Sequence, residues 1–207
     1  MLLAVCCITH AAMASAQQPS VWAGWYVGLD AGYSDIDLSV DFWLDSDRSS
    51  GEIDTAGLGF QAYAGYRFNR HLALEGGYLR AGETMFRGVT DGFNSRWVAG
   101  DMEGRTKVQG FNLQAVGLWP IGESNVALFA RGGLLFWDTT TYYETTINDI
   151  NRFNDDGVSP IVGLGAEMML WRKWRVRAGW QYSIVHLEKR IDVDMHMATL
   201  GVTRFLP

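Results

Sequence analysis

From about residue 25 onward, apolar residues alternate with glycines, amides and charges, and no stretch holds a helical period for long. In the segment 160–170, Pro160, Val162, Leu164, Ala166, Met168 and Leu170 share one parity, while Gly163, Gly165 and Glu167 take the other. The same split sets Val176, Ala178, Trp180, Tyr182 and Ile184 against Arg177, Gly179, Gln181 and Ser183. It sets Leu58, Phe60, Ala62, Ala64, Tyr66 and Phe68 against Gly59, Gln61, Tyr63 and Gly65, and Phe111, Leu113, Ala115 and Trp119 against Asn112 and Gln114. Side chains alternate faces along a strand, so each segment predicts a strand with one greasy and one mixed face. Eight are predicted, at about 25–42, 56–68, 71–84, 105–119, 126–142, 158–171, 174–187 and 193–205.

The connections alternate in length. Short turns fall at Asn69-Arg70, at Gly122-Glu123-Ser124-Asn125 and at Arg172-Lys173. Long polar loops are expected at 44–54, within 85–104 and at 147–157, with a brief connection at about 188–192. This asymmetry, with strands of ten or more residues, is the build of an outer-membrane barrel, whose long loops face outside.

Composition narrows the reading further. Of 207 residues, 48% are hydrophobic and 13% aromatic, with 24 glycines and 4 prolines, which excludes a disordered chain. A formal charge of −6 argues against a nucleic-acid partner. Residues 1–16 carry no Asp, Glu, Lys or Arg, and Ala14-Ser15-Ala16 supplies a small-residue cleavage pattern, so they are expected to be a removed signal peptide. The charged n-region is missing, which suggests a start codon placed further upstream. Both cysteines, Cys6 and Cys7, lie in this segment, so the expected mature domain, 17–207, has no disulfide, thiolate metal site or Cys nucleophile.

Charge decides which face meets which solvent. A soluble barrel turns its apolar face inward, whereas here the clean apolar face suits lipid and the charges suit a barrel interior. Trp25, Tyr33, Tyr66, Tyr78, Trp119 and Trp180 are placed for aromatic girdles. The soluble alternative is an exported ligand carrier, because Gly24-Trp25-Tyr26 resembles the opening of lipocalins.

Several segments carry a closer resemblance: GYRFNRHLALEGGY (65–78), KVQGFNLQAVGLWPI (107–121), DDGVSPIVGLGAEMML (155–170) and RVRAGWQY (175–182), with GWYVGLDAGYS (24–34) and LGVTRF (200–205) at the ends. Together they resemble the transmembrane barrel of the outer-membrane protein A family. The resemblance implies an all-β, eight-stranded antiparallel up-and-down barrel in the outer membrane; the 207 residues are expected to leave no room for the soluble domain that many relatives carry after it. It also implies a lumenal set of acids and bases that plugs the water path. Carried over by position, Glu75, Arg131, Glu167 and Arg177 match this set, Val116 stands where the family has a base, and Asp30 stands where it has another. The interior cluster is therefore Asp30, Glu75 and Glu167 against Arg131 and Arg177, one carboxylate in excess. Family barrels end on an outward aromatic read during assembly. Here Leu206, not Phe205, shares the parity of Leu200 and Val202 unless a bulge intervenes.

Other chemistry is thin. Ser183 and His186 are a close Ser/His pair with Glu188 beside them, but their parities differ, and His196 is the other histidine near them. The segment 45–51 departs from a calcium loop in its glycine position and lacks the closing Glu, and Asp149, Asn151, Asp155 and Asp156 read as a hydrated acidic loop. No catalytic residue, metal or cofactor is predicted. The expected role is structural or interactive, with loops contacting host surfaces, phage or neighbouring proteins. Expected surroundings are outer-membrane lipid and lipopolysaccharide, with delivery by the barrel assembly machinery. The alternatives are a small low-conductance channel with an interior charge plug and a lipid-modifying enzyme.

Overall fold

Among the described residues ten strands run in chain order: β1 (Gly24–Ile36), β2 (Ser50–Asp54), β3 (Ala56–Arg67), β4 (Leu72–Arg80), β5 (Thr84–Thr90), β6 (Gly100–Pro120), β7 (Val126–Thr145), β8 (Asn148–Trp171), β9 (Trp174–Leu187) and β10 (Ile191–Phe205). They come from a computed structural model that describes residues 23–37, 50–90, 99–145, 148–187 and 191–207. The expected signal peptide and its cysteines, the 45–49 part of the calcium-like segment and Glu188 lie outside the described residues.

Eight strands close a ring, each antiparallel to its neighbours, in the order β1, β3, β4, β6, β7, β8, β9, β10. The seam joins first to last: β1 and β10 pair without a register break from Tyr26↔Phe205 to Ile36↔Met195. β2 and β5 continue β3 and β4 beyond short breaks and extend the wall as a β2–β5–β6 sheet. Three short turns close one end. Asn69 shapes the first, its Oδ1 accepting from the His71 and Leu72 N–H groups at 2.7 and 3.0 Å. In the second, Gly122 takes φ +56°, and the Ser124 hydroxyl donates to the Ile121 carbonyl at 2.6 Å.

The long-loop end differs from expectation. Segments 50–54, 84–90, 100–104 and 148–157 are strand rather than loop. Strand pairing there continues above the lipid-facing wall, where neither face needs to be apolar. The alternation of hydrophobic and polar residues fades while the ladder of backbone hydrogen bonds persists. Asp155 and Asp156 consequently sit on one strand with side chains on opposite faces, and among the described residues no group of three or more His, Cys, Asp or Glu could hold a metal.

Parity resolves into orientation. Leu58, Phe111, Leu164 and Leu200 are exposed on the outer wall at 85, 66, 58 and 66%, while Glu75, Gln61, Gln114, Gln181 and Glu167 are buried. The outward run from Val158 to Leu170 spans roughly 40 Å along β8, or about 30 Å along the axis of a barrel whose strands tilt by about 40°. That matches a hydrocarbon core. Aromatic rings edge this band. Trp25, Tyr66 and Phe68 meet edge to face near the short turns, at 5.2 Å for each neighbouring pair. Phe60, Tyr78 and Phe111 adjoin at 6.2 and 5.4 Å near the other end.

The interior is divided along the axis. Near the short turns, polar side chains share space with Tyr26, Tyr63, Val116, Leu118, Phe129 and Phe205. Glycines make room for the rings: a Cβ on Gly28 would strike Tyr63, and one on Gly65 would strike Tyr26. Toward the other end the lumen is filled mainly by hydrocarbon, including Leu79, Val108, Leu135, Ile161, Val185 and Met197. Leu135→Ala opens a void in this sealed layer and is expected to lower stability by about 2–5 kcal/mol. Urea titration of protein refolded into liposomes reads the loss. Leu164→Ala should lose less, because lipid chains close over missing methyls, and equal losses would contradict the packing described.

Candidate functional site: the charged lumen

Seven acidic and basic side chains are buried among the described residues: Asp30 on β1, Arg67 on β3, Glu75 on β4, Arg131 on β7, Glu167 on β8, and Arg175 and Arg177 on β9. Each lies on the inward parity of its strand, opposite the lipid-facing residues. They form linked groups rather than one chain of pairs.

Glu167 is clamped nearest the short turns. Its Oε1 accepts from Arg67 Nη2 and from Arg175 Nη1, both at 2.6 Å. Both guanidinium groups also lie over the Phe205 ring, at 5.5 and 4.9 Å, so one aromatic face and one carboxylate hold two cations. Cross-strand register places Glu167 beside Arg177, yet the bond runs diagonally to Arg175. Arg177 instead crosses the lumen to Glu75 Oε1 at 2.7 Å. The Tyr26 hydroxyl donates to that same oxygen at 2.7 Å. Arg177 also lies against the faces of Phe129 and Tyr63, at 4.5 and 5.2 Å.

Asp30 belongs to a hydroxyl network. The Tyr63 hydroxyl donates to Asp30 Oδ1 at 3.2 Å and lies 2.9 Å from Thr203 Oγ1. Arg131 makes no direct hydrogen bond to a described residue, and its guanidinium sits 5.7 Å over the Phe129 ring.

All five sequence-derived residues thus point into one lumen, but the balance expected of them changes. Arg67 and Arg175 raise the buried bases to four against three acids, reversing the expected excess of carboxylate. The signal for both was present. Arg67 follows Gln61, Tyr63 and Gly65 at the same parity, and Arg175 precedes Arg177. Their positions beside turns make them read as solvated turn residues.

The enzyme-like residues do not converge. Ser183 is buried in the lumen, donating to the Pro160 carbonyl at 2.9 Å. His196 lies on the other face, stacked on Trp180 at 5.7 Å, and the side chain of His186 lies outside the described residues. At the C-terminus no bulge intervenes: Phe205 turns inward and Leu206 outward, 45% exposed. Trp25, which the lipocalin-like reading rests on, is 61% exposed on the outer wall.

A closed antiparallel ring of eight strands, greasy outside and charged within, defines a small outer-membrane β-barrel protein. The chain belongs to the OmpA-like transmembrane domain family, whose profile matches residues 22–205. Among curated relatives, Outer membrane protein A of Serratia marcescens is 27% identical over 163 residues, covering 76% of this chain and 42% of the relative. The 31 kDa outer-membrane immunogenic protein of Brucella melitensis biotype 1 is 24% identical over 184 residues, covering 84% and 75%. The chain therefore spans about two fifths of the length of the Serratia relative. The solved Neisserial surface protein A shares the fold at a TM-score of 0.54 and 16% identity, covering 88% of this chain and 97% of its own. The protein resides in the outer membrane.

The clamp has a measurable asymmetry. Glu167→Gln leaves two buried guanidinium groups without their shared anion and is expected to cost about 3–5 kcal/mol of stability. Arg175→Gln leaves Glu167 paired with Arg67 and should cost distinctly less. Urea midpoints of the refolded barrels compare them, and the reverse order would refute the shared-carboxylate geometry.

Proposed function

We propose that this barrel is a structural and contact protein of the envelope, exported through cleavage after Ala16, inserted by the barrel assembly machinery, and not an enzyme. The lumen charges are anchors in this reading, and the working surface is the strand extension at the extracellular end. The observation that carries it is the length of β6, β7 and β8, at 21, 20 and 24 residues, well beyond the lipid-facing segment of each.

The side chains on that extension suit contact with a polar partner. Lys107 of β6 and Arg152 of β8 each lie over the Tyr142 ring of β7, at 5.8 and 5.6 Å from its centre. Tyr143 and Phe153 stack at 5.5 Å. Glu83 accepts from Lys107 and Arg80, each at 3.0 Å. The Lys107 hydrogen bond, with the nearby positive charges, holds the Glu83 carboxyl below its usual range against a modest opposing effect of burial. An open hollow of about 820 Å³ adjoins Glu52, Arg87, Glu103 and Glu144. Mixed charge with aromatic faces is the chemistry of a recognition surface rather than of a lipid-facing wall. The Brucella relative's description as immunogenic fits a barrel whose outer end is presented to the surroundings.

The channel reading depends on the charged lumen alone and would require the Glu75–Arg177 pair to part. The contact reading is tested on cells of a Gram-negative host expressing the full chain, settled on epithelial monolayers or immobilised extracellular matrix. Replacing 140–154 by a two-residue turn should abolish retention while heat-modifiable gel migration shows an intact barrel. Undiminished retention by the shortened barrel, or no retention by the parent, would overturn the proposal.

A further inference from the structure

The charged tier is not the only closure of this barrel. Above it, Leu79 of β4, Leu135 and Trp137 of β7, Ile161 of β8, Val185 of β9 and Met197 of β10 pack into one buried cluster, each at most 4% exposed. Ile36 of β1 and Val108 of β6 join the same cluster, so seven of the eight ring strands contribute to it. The layer is pinned in place. The Trp137 indole N–H donates to the Ser159 hydroxyl at 2.8 Å, and the Gln181 amide reaches Met197 Sδ at 3.3 Å.

The two tiers oppose an ion in different ways. In the charged tier, an ion meets carboxylates, guanidinium groups and hydroxyls that can replace part of its hydration, so rearranged pairing could open a path. In the apolar tier it meets packed hydrocarbon interrupted by the Gln61 and Gln181 amides and the Ser159 and Ser183 hydroxyls, too few polar groups to replace its hydration. Hydrophobic constrictions exclude ions by remaining dry. No exchange of salt-bridge partners below alters that layer, because none of the seven buried acids and bases belongs to it.

We infer that the apolar layer in the extracellular half is the seal of this barrel, and that it keeps ions out even when the charge network beneath it is dismantled. The inference rests on the barrel itself and stands apart from the contact role proposed above. Glu75 and Arg177 then serve to tie strands across the lumen.

Planar-bilayer recording tests it on refolded full-length protein. The parent should show no channel steps, and neither should Glu75→Gln/Arg177→Gln, which removes the trans-lumen charge pair while keeping a polar side chain at both positions. Adding Leu79→Ser, Leu135→Ser, Ile161→Ser and Met197→Ser to that pair should produce ohmic steps. If the sixfold variant fails to show heat-modifiable migration, the milder addition of Leu135→Ser/Met197→Ser takes its place. Steps from the parent or from the charge-neutralised pair would overturn the inference. So would a folded serine variant that stays as silent as its background.

Discussion

Hydrocarbon offers a peptide group no partner, and that constraint organises the whole molecule. Each backbone N–H and C=O at membrane depth must bond to another part of the chain, and a sheet does this only by closing on itself. The β1–β10 seam is therefore as important as any side chain: eleven consecutive residue pairs join the two ends of the described chain. Once the ring is closed, the period of two sends alternate residues to lipid and to lumen. Which residues follow is then a matter of what each solvent tolerates.

The outer wall faces a uniform solvent and is uniform in response, a belt of aliphatic residues edged by aromatic rings. The lumen has to be filled, and its two halves are filled differently. The periplasmic half mixes charge with aromatic faces: Arg177 stacks between Phe129 and Tyr63 while bonding Glu75, and Arg67 and Arg175 share Phe205 and Glu167. The rings exclude water around these charges and at the same time stabilise the cations. Glycines such as Gly28 and Gly65 face the largest rings, so bulk on one strand meets its absence on the next. The extracellular half is filled mainly as a protein core is filled, by interlocking hydrocarbon, with Gln61, Gln181, Ser159 and Ser183 buried among it.

Much of this was legible in the order of residues because lipid imposes a one-sided pattern. The segments 58–68, 160–170 and 176–184 alternate cleanly, and their parity alone places Glu167 and Arg177 on the side away from Leu164 and Trp180. The resemblance at 65–78 and 175–182 added Glu75 as a third. What escaped did so where the alternation fails. Leu134-Leu135-Phe136-Trp137 is apolar on both faces, so the dry inner layer does not stand out from the wall beside it. Asn148–Gly157 is polar on both faces, so a strand above the membrane reads as a loop. Pairing geometry was out of reach: adjacency in the ladder favours Glu167 with Arg177, and only the curvature of the closed barrel brings Arg177 to Glu75 and Arg67 to Glu167.

The account stands on the orientation of the wall, and nuclear magnetic resonance of the methyl-labelled barrel in nanodiscs reports it without any substitution. Nitroxides carried on lipid tails should broaden the methyl signals of Val162 and Leu164 strongly. They should spare those of Ile161 and Leu135. Broadening of Ile161 and Leu135 with Val162 and Leu164 left sharp would mean that the charges face lipid, and would contradict the structure described here.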